Sequence, residues 1–425
     1  MGGRLHVVGA GLAGLSAALS ASKAGLSVVV YEANRRAGGR LLSWHDARLG
    51  CDLDNGIHWV FSGQRAVWDY LREIGAEDGF VGPTPATLKF VDLCDGKRWF
   101  LRPNNGRIPW WILANNRNAS STGLRDLVSF IRLLSAGTDA KVTDFIDVER
   151  DSFRRFWKPL AIAALNTPAE TASARELGRV LMGFLPKGEA GLRVRFPATS
   201  LNASFVQPAV DALIRRGVKF RYGTHLNGVE LADGRASRLG LNGASATLGK
   251  TDAVVLALPP RRLLKCLPGM IAPTEMNSIV TVHYRIGDAA SVQPGIVCLI
   301  DSRPLWTQLR GGIASVTVGA ADDLVPHPAE AIAEAIWPLV AAGLDLPRIA
   351  PPPYRVVKER SGVFAHTPRN ALRRGPVNTN WRNLFVAGDW IDTGVSATIN
   401  SAVIAGRKAA DAAQRHLQDG AEAWV

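Results

Sequence analysis

The hydrophobic pattern at the start of the chain switches between two periods. Leu5 to Val8 is a short apolar run; after a glycine turn, Leu12, Leu15, Leu19 and Leu26 recur at helical spacing. Ala13, Ala17 and Ala21 give that helix a small-residue face, and Gly25 closes it. Ser27 to Tyr31 is a second, β-branched run that ends at Glu32. Strand, helix and strand together predict a βαβ unit. From Asp78 to Pro197 the character changes to tryptophans, scattered arginines and helical stretches such as Leu124 to Leu134, with little strand alternation. This predicts an inserted second domain.

The α/β pattern returns with a helix over Val206 to Arg216, a strand over Val218 to Tyr222, a hairpin, and the run Ala253 to Leu258 closed by Pro259 and Pro260. Arg261 to Pro353 is a mixed, proline-rich block that supplies the rest of the insertion. The final segment reads as a strand (Asn383 to Ala387), a Gly388-Asp389 turn and an alanine-rich helix from Ser396 to His416. The fold class expected is therefore α/β: a discontinuous Rossmann-type domain over 1–77, 198–260 and 354–425, with an inserted mixed α+β substrate domain over 78–197 and 261–353.

Composition narrows the class. The 425 residues are 47% apolar and 20% charged, ordinary globular material, and no run of ~18 apolar residues is present to span a bilayer. Leu5 to Ala10 is too short and too near Met1 for a secretory leader, so a cytoplasmic protein is expected. Cys51, Cys94, Cys266 and Cys298 are far apart without metal-type spacing; reduced thiols and no metal are expected. A net charge of +13 favours a polyanionic partner. No block of consecutive basic residues or zinc-finger pattern points to nucleic acid, which leaves the inner face of a membrane as the expected surface.

The chemistry starts at Gly9, Gly11 and Gly14, a GxGxxG directly after a strand and before a helix. Gly9 permits the tight turn, Gly11 leaves room for a pyrophosphate and Gly14 lets helix and strand approach. Glu32, at the end of the second strand, is placed to accept ribose hydroxyls and to repel a 2′-phosphate. Gly38, Gly39 and Arg40 form a second glycine turn carrying a cation, more than a nicotinamide site needs. Far downstream, Gly388 and Asp389 follow a buried-looking strand where a carboxylate could bond ribityl hydroxyls, and the helix beyond would aim its N-terminus at a flavin ring. FAD is the expected cofactor. No second GxGxxG stands in a strand-turn-helix frame, so electrons are expected from an external donor.

These runs, GAGLAGLSAA and YEANRRAGGR, with Asp54 to His58, Phe156 to Leu160, Leu165 to Pro168, Leu258 to Pro260, Val386 to Trp390 and Ala397 to Ile399, resemble the squalene-associated FAD-dependent desaturases. That family contains the bacterial hydroxysqualene dehydroxylases of hopanoid biosynthesis and lies within the amine oxidase and phytoene desaturase superfamily. The resemblance runs in order from end to end. It implies an amine oxidase-like fold, FAD held also at Ala397 and Thr398, and a long isoprenoid substrate. Ile57, Ser396 and Asn400 depart from the family pattern and bear on substrate and catalysis.

In the dehydroxylase reading an allylic hydroxyl leaves as water and is replaced by hydride, so an acid is needed. His58, Asp54 and Asp392 are the candidates, in segments that the family layout brings toward the flavin. A structural histidine and a backbone-capping carboxylate are the competing roles for the first two. Trp157, Asn166, Phe364 and Trp390 are the substrate candidates, although aromatics in such segments also serve as core. The rivals are a carotenoid-type desaturase, an amine oxidase, which would want a lysine near the flavin with Lys358 as the late candidate, and a non-catalytic lipid escort. Trp110 and Trp111 precede an amphipathic stripe of Leu124, Leu127, Val128, Ile131 and Leu134 with Arg125 and Arg132 elsewhere. The stripe suits a membrane interface, and it equally suits a domain core.

Overall fold

The computed structural model describes residues 3–114, 117, 121–184, 187–288, 292–347 and 349–422. Its organising element is a five-stranded parallel sheet in the order Lys219–Arg221, Ser27–Tyr31, Arg4–Val8, Ala253–Leu256, Leu384–Val386. Four of these strands are largely buried and rich in Val and Leu, the composition of strands covered on both faces. Residues more than 350 positions apart thus end at the same sheet edge, where ligands of such sheets bind.

The first helix (Leu12–Lys23) packs on the last (Ile399–Glu422) through small residues. A Cβ on Gly406 would lie 2.2 Å from the Ala13 carbonyl oxygen, so only glycine permits this approach. Ser16 Oγ donates to the Val403 carbonyl across it at 3.0 Å. The helix Gln207–Arg215 covers the same layer, with Val210, Leu213 and Phe205 in the shared core.

A second sheet has seven strands in the order Tyr354–Phe364, Met276–Arg285, Ile313–Gly319, Leu305–Arg310, Gly295–Ile300, Leu88–Asp92, Arg98–Leu101. All neighbours are antiparallel except Gly295–Ile300 with Leu88–Asp92. Its strands alternate by face: Val280, Val282 and Tyr284 pack under the helix Ala329–Gly343, whereas Ile279 and Thr317 face the parallel domain. The expectation of little strand in 78–197 is corrected here, because two strands of that segment complete this sheet. Tyr354–Phe364, assigned from sequence to the dinucleotide domain, hydrogen-bonds to Met276–Arg285 instead.

A helical layer carries its own core of Trp111, Phe130, Leu133, Phe156, Trp157 and Leu177. Asp92 ties it to the seven-stranded sheet by accepting from Arg154 (2.6 and 2.8 Å) and Arg155 (2.9 Å). Burial alone would raise that carboxyl, but the two guanidinium groups hold it down at about 2. Among the described residues no helix is long and apolar enough to cross a membrane.

Candidate active site

A cleft of about 760 Å³ runs along the carboxyl edge of the parallel sheet toward the seven-stranded sheet, a size typical of cofactor and ligand pockets. It is lined by Gly9, Gly11, Glu32, Gly38, Gly39, Arg40, His58, Gly388, Asp389, Trp390, Ala397 and Thr398, with Ile279, Thr317 and Glu359 at the other wall. Gly14 stands behind the turn.

The three N-terminal glycines do different work. Gly9 has φ +102°, and a Cβ there would meet the Ala257 carbonyl oxygen at 2.4 Å; a Cβ on Gly14 would lie 1.9 Å from the Gly9 oxygen. Both are required by the fold itself. Gly11 has φ −74° and ψ 177°, open to any residue, and its Cβ would find nothing nearer than Gly39 Cα at 3.8 Å. The space beside Gly11 belongs to the cleft, so the fold itself does not require glycine there. The first-turn N–H groups of the helix that begins at Leu12 open toward the same space. This cradle fits the diphosphate of a dinucleotide. The second glycine turn lies against the first: Gly38 N–H donates to the Ala10 carbonyl at 2.9 Å, and Gly38 and Gly39 take φ of +126° and +58°.

Glu32 is buried at the next strand end. Its carboxylate accepts from Ala10 N–H (2.8 Å), Asn34 N–H (2.8 Å) and Asn34 Nδ2 (3.0 Å), which orients it while leaving lone pairs for ribose hydroxyls. At the other end Arg40 grips Asp389 with two hydrogen bonds of 2.6 and 3.0 Å and donates to the Gly362 carbonyl. Burial would raise the Asp389 carboxyl, yet Arg40 holds it below the usual carboxylate range, and Asp389 in turn raises Arg40. Sequence reasoning singled out both residues and missed that they pair. Thr398 caps the last helix, its Oγ1 accepting from Ser401 N–H at 3.3 Å, so the helix starts at Ile399 and its first turn borders the cleft.

Of the three acid candidates only His58 lines the cleft. Its Nδ1 donates to the Gly56 carbonyl (3.2 Å), which leaves Nε2 for another partner, and burial lowers its pKa below 6.5. Asp54 lies off the cleft wall, where it accepts from Ser43 Oγ (2.6 Å), Leu201 N–H (2.9 Å) and Arg310 (2.7 Å). Asp392 pairs with Arg179 at 3.2 Å and also lies off the cleft. The substrate candidates divide likewise. Trp390 reaches the lining, its indole N–H on the Leu258 carbonyl. Trp157 is fully buried in the helical core, its N–H donating to Asp126 at 2.9 Å. Asn166 takes a left-handed conformation (φ +46°) that ends its helix and accepts from Ala320 N–H. Phe364 is buried with its ring 4.3 Å from that of His366. Sequence reading overlooked Ile279, Thr317 and Glu359, because nothing local says which strand faces a cleft built by another domain. Lys358 donates to the Val325 and His327 carbonyls and is not at the cleft.

Comparison with known proteins agrees with this geometry. The model of the flavin containing amine oxidoreductases matches residues 12–293 and 296–414. A hydroxysqualene dehydroxylase of Rhodopseudomonas palustris is 39% identical over 96% of this chain and 97% of its own. One from Sinorhizobium fredii is 38% identical over 96% and 98%. Among solved structures, cyclohexylamine oxidase of Brevibacterium oxydans superposes with a TM-score of 0.70 at 18% identity, covering 98% of this chain and all of its own. That likeness concerns the fold.

Proposed function

Because the chain belongs to the flavin containing amine oxidoreductase family, we propose that it is an FAD-dependent oxidoreductase that converts hydroxysqualene to squalene. The observation that carries the reading is the chain-long likeness to hydroxysqualene dehydroxylases, with Gly9, Gly11, Glu32, Arg40 and Asp389 lining one cleft. Gly11 and the first helix would hold the diphosphate, Glu32 the adenosine ribose, and the Arg40-Asp389 pair the ribityl region. Reduced FAD, when bound, supplies the hydride that takes the place of the departing oxygen.

The chain's own part is binding, exclusion of water and proton delivery. His58 is the proton donor in this reading: its imidazolium gives a proton to the allylic hydroxyl, the C–O bond breaks and water leaves. His58 then recovers a proton from solvent, and an external donor returns two electrons to the cofactor. Nδ1 is committed to Gly56, so the proton passes from Nε2. The cleft wall of Ile57, Leu258, Ile279, Val363 and Trp390 suits a long hydrocarbon, which a membrane surface would deliver.

The test is to incubate purified protein with hydroxysqualene and a reductant and to look for squalene. Squalene formed only with reduced flavin supports the reading; conversion of phytoene or oxidation of an amine instead overturns it. His58→Ala is expected to keep its flavin and lose turnover by a factor of about 10² or more. A rate that depends on protonated His58 falls as pH rises through its folded pKa, so the limb lies below 6.5, the side to which burial moves it.

A further inference from the structure

The helix Leu124–Leu134 carries apolar residues on both its buried and its exposed side. It buries Asp126, Phe130 and Leu133 against the helix Ala174–Phe184, where Gly178 allows close approach to the Leu133 carbonyl. Its outer face is apolar: Leu124, Val128, Ile131 and Leu134 are exposed, Leu124 to 67% and Ile131 to 58%. At about 100° per residue Leu124, Val128 and Ile131 share one arc opposite Asp126 and Leu133, while Leu127 and Leu134 lie at its edge toward Phe130, Leu127 packing partly on the core. The preceding turn extends the patch with Ile108, which is 72% exposed, Trp110 and Leu113. The sequence admits core or interface for this stripe, and the fold leaves it facing outward.

The rim is cationic. Arg102, Arg107, Arg117, Arg125 and Arg132 stand along the two segments, and among the described residues none of them is in an ion pair. Arg117 lies 5.1 Å over the Trp110 ring. The only acid within 100–113 and 124–134 is Asp126, which is buried beneath Trp157 and Arg150. A large apolar patch rimmed by unpaired arginines with a tryptophan at its edge has the chemistry of an interfacial membrane anchor. A second copy of the chain is a poorer occupant, since a two-fold contact would set these arginines against one another.

We propose that the surface formed by Ile108, Trp110, Leu113, Leu124, Val128 and Ile131 docks the enzyme on an anionic phospholipid leaflet. The apolar side chains enter the acyl boundary and the arginines meet lipid phosphates. The proposal rests on the reading that the substrate is a long hydrocarbon, for which the leaflet is the reservoir.

The experiment is sedimentation of the holoenzyme with phosphatidylcholine vesicles made with and without phosphatidylglycerol. The wild type is expected to pellet with the anionic vesicles and to be released by salt. Leu124→Asp with Ile131→Asp should lose vesicle binding; Arg125→Ala with Arg132→Ala should lose roughly ten-fold or more, only on the anionic vesicles. Both variants should keep their flavin and their turnover of detergent-dispersed substrate, while turnover of vesicle-borne substrate falls in step with binding. Wild-type protein that stays in the supernatant with anionic vesicles overturns the proposal, as does an Asp variant that pellets like the wild type. A dimer in light scattering that the Asp variant converts to monomer, without vesicle binding, assigns the patch to self-association and overturns it too. Sedimentation needs no turnover, so a protein that binds vesicles and makes no squalene refutes the function and leaves the surface standing.

Discussion

Gly11 and Gly14 sit three residues apart in one motif, yet the structure separates them by cause, and that separation is measurable. Replacing Gly14 by Ala places a methyl 1.9 Å from the Gly9 oxygen, and real contacts of this kind are essentially never under 3.0 Å, so the turn and helix must part by about 1.1 Å. Overpacking costs about 1–3 kcal/mol, and here the obstacle is rigid backbone. Even after about 1 kcal/mol of alanine helix propensity, a net loss of about 2 kcal/mol is expected. Gly11→Val has open space and ordinary dihedral angles, so only the weaker helix cap counts against it, about 1 kcal/mol at most. Its side chain fills the diphosphate cradle instead. The assay is thermal melting of deflavinated protein, repeated with excess FAD, together with visible flavin absorbance. A ligand at about 100 times its Kd adds roughly 2.7 kcal/mol to the native state. The wild type should therefore gain stability with FAD. Gly11→Val should melt near the wild-type apoprotein and gain nothing, whereas apo Gly14→Ala should melt lower. Stoichiometric flavin in Gly11→Val, or an apoprotein as weakened as Gly14→Ala, refutes the assignment.

Asp389→Asn should lose flavin while the fold survives, because Arg40 is 41% exposed on its side chain and can rehydrate; the stability cost is about 1–2 kcal/mol, and retained stoichiometric flavin counts against the ribityl role. Asp54→Asn strands Arg310, which is 20% exposed, and should lower stability in denaturant by about 3 kcal/mol while sparing turnover in the cold. Full stability with no turnover would return Asp54 to the catalytic candidates. His283 and His366 are buried neutral, with pKa values pushed down to about 4 by desolvation from an ordinary 6.5. The unfolded chain takes up those protons first, so stability is complete above 6.5 and is lost as pH falls toward 4, by about 3 kcal/mol for each histidine. Denaturation midpoints unchanged between pH 7 and pH 4.5 in a His283→Gln, His366→Gln protein, against a falling wild type, identify them as the cause; equal slopes exclude them.

The cofactor cradle was legible because its parts are local. A turn needing positive φ, a helix start and a strand-end carboxylate occupy one βαβ unit, where spacing along the chain is spacing in space. The strand, Gly388-Asp389 turn and capped helix near the end were legible for the same reason, apart from a helix start displaced from Ser396 to Ile399. The placement of Asp54 and Trp157 off the cleft was not legible, because residue type shows that a carboxylate or an indole can act, while Arg310, Leu201 and Asp126 take up their polar atoms from distant segments.

The amino-acid order alone thus determined which residues share a face, where the backbone must turn and at which strand ends the glycine turns fall, since each depends on dihedral preference and periodicity within a few residues. Tertiary structure decided the rest: Arg40 meets Asp389 across 349 positions, Tyr354–Phe364 joins the antiparallel sheet, and the apolar stripe of Leu124–Leu134 turns outward. Periodicity defines a face, but only the packing of other segments determines what that face meets.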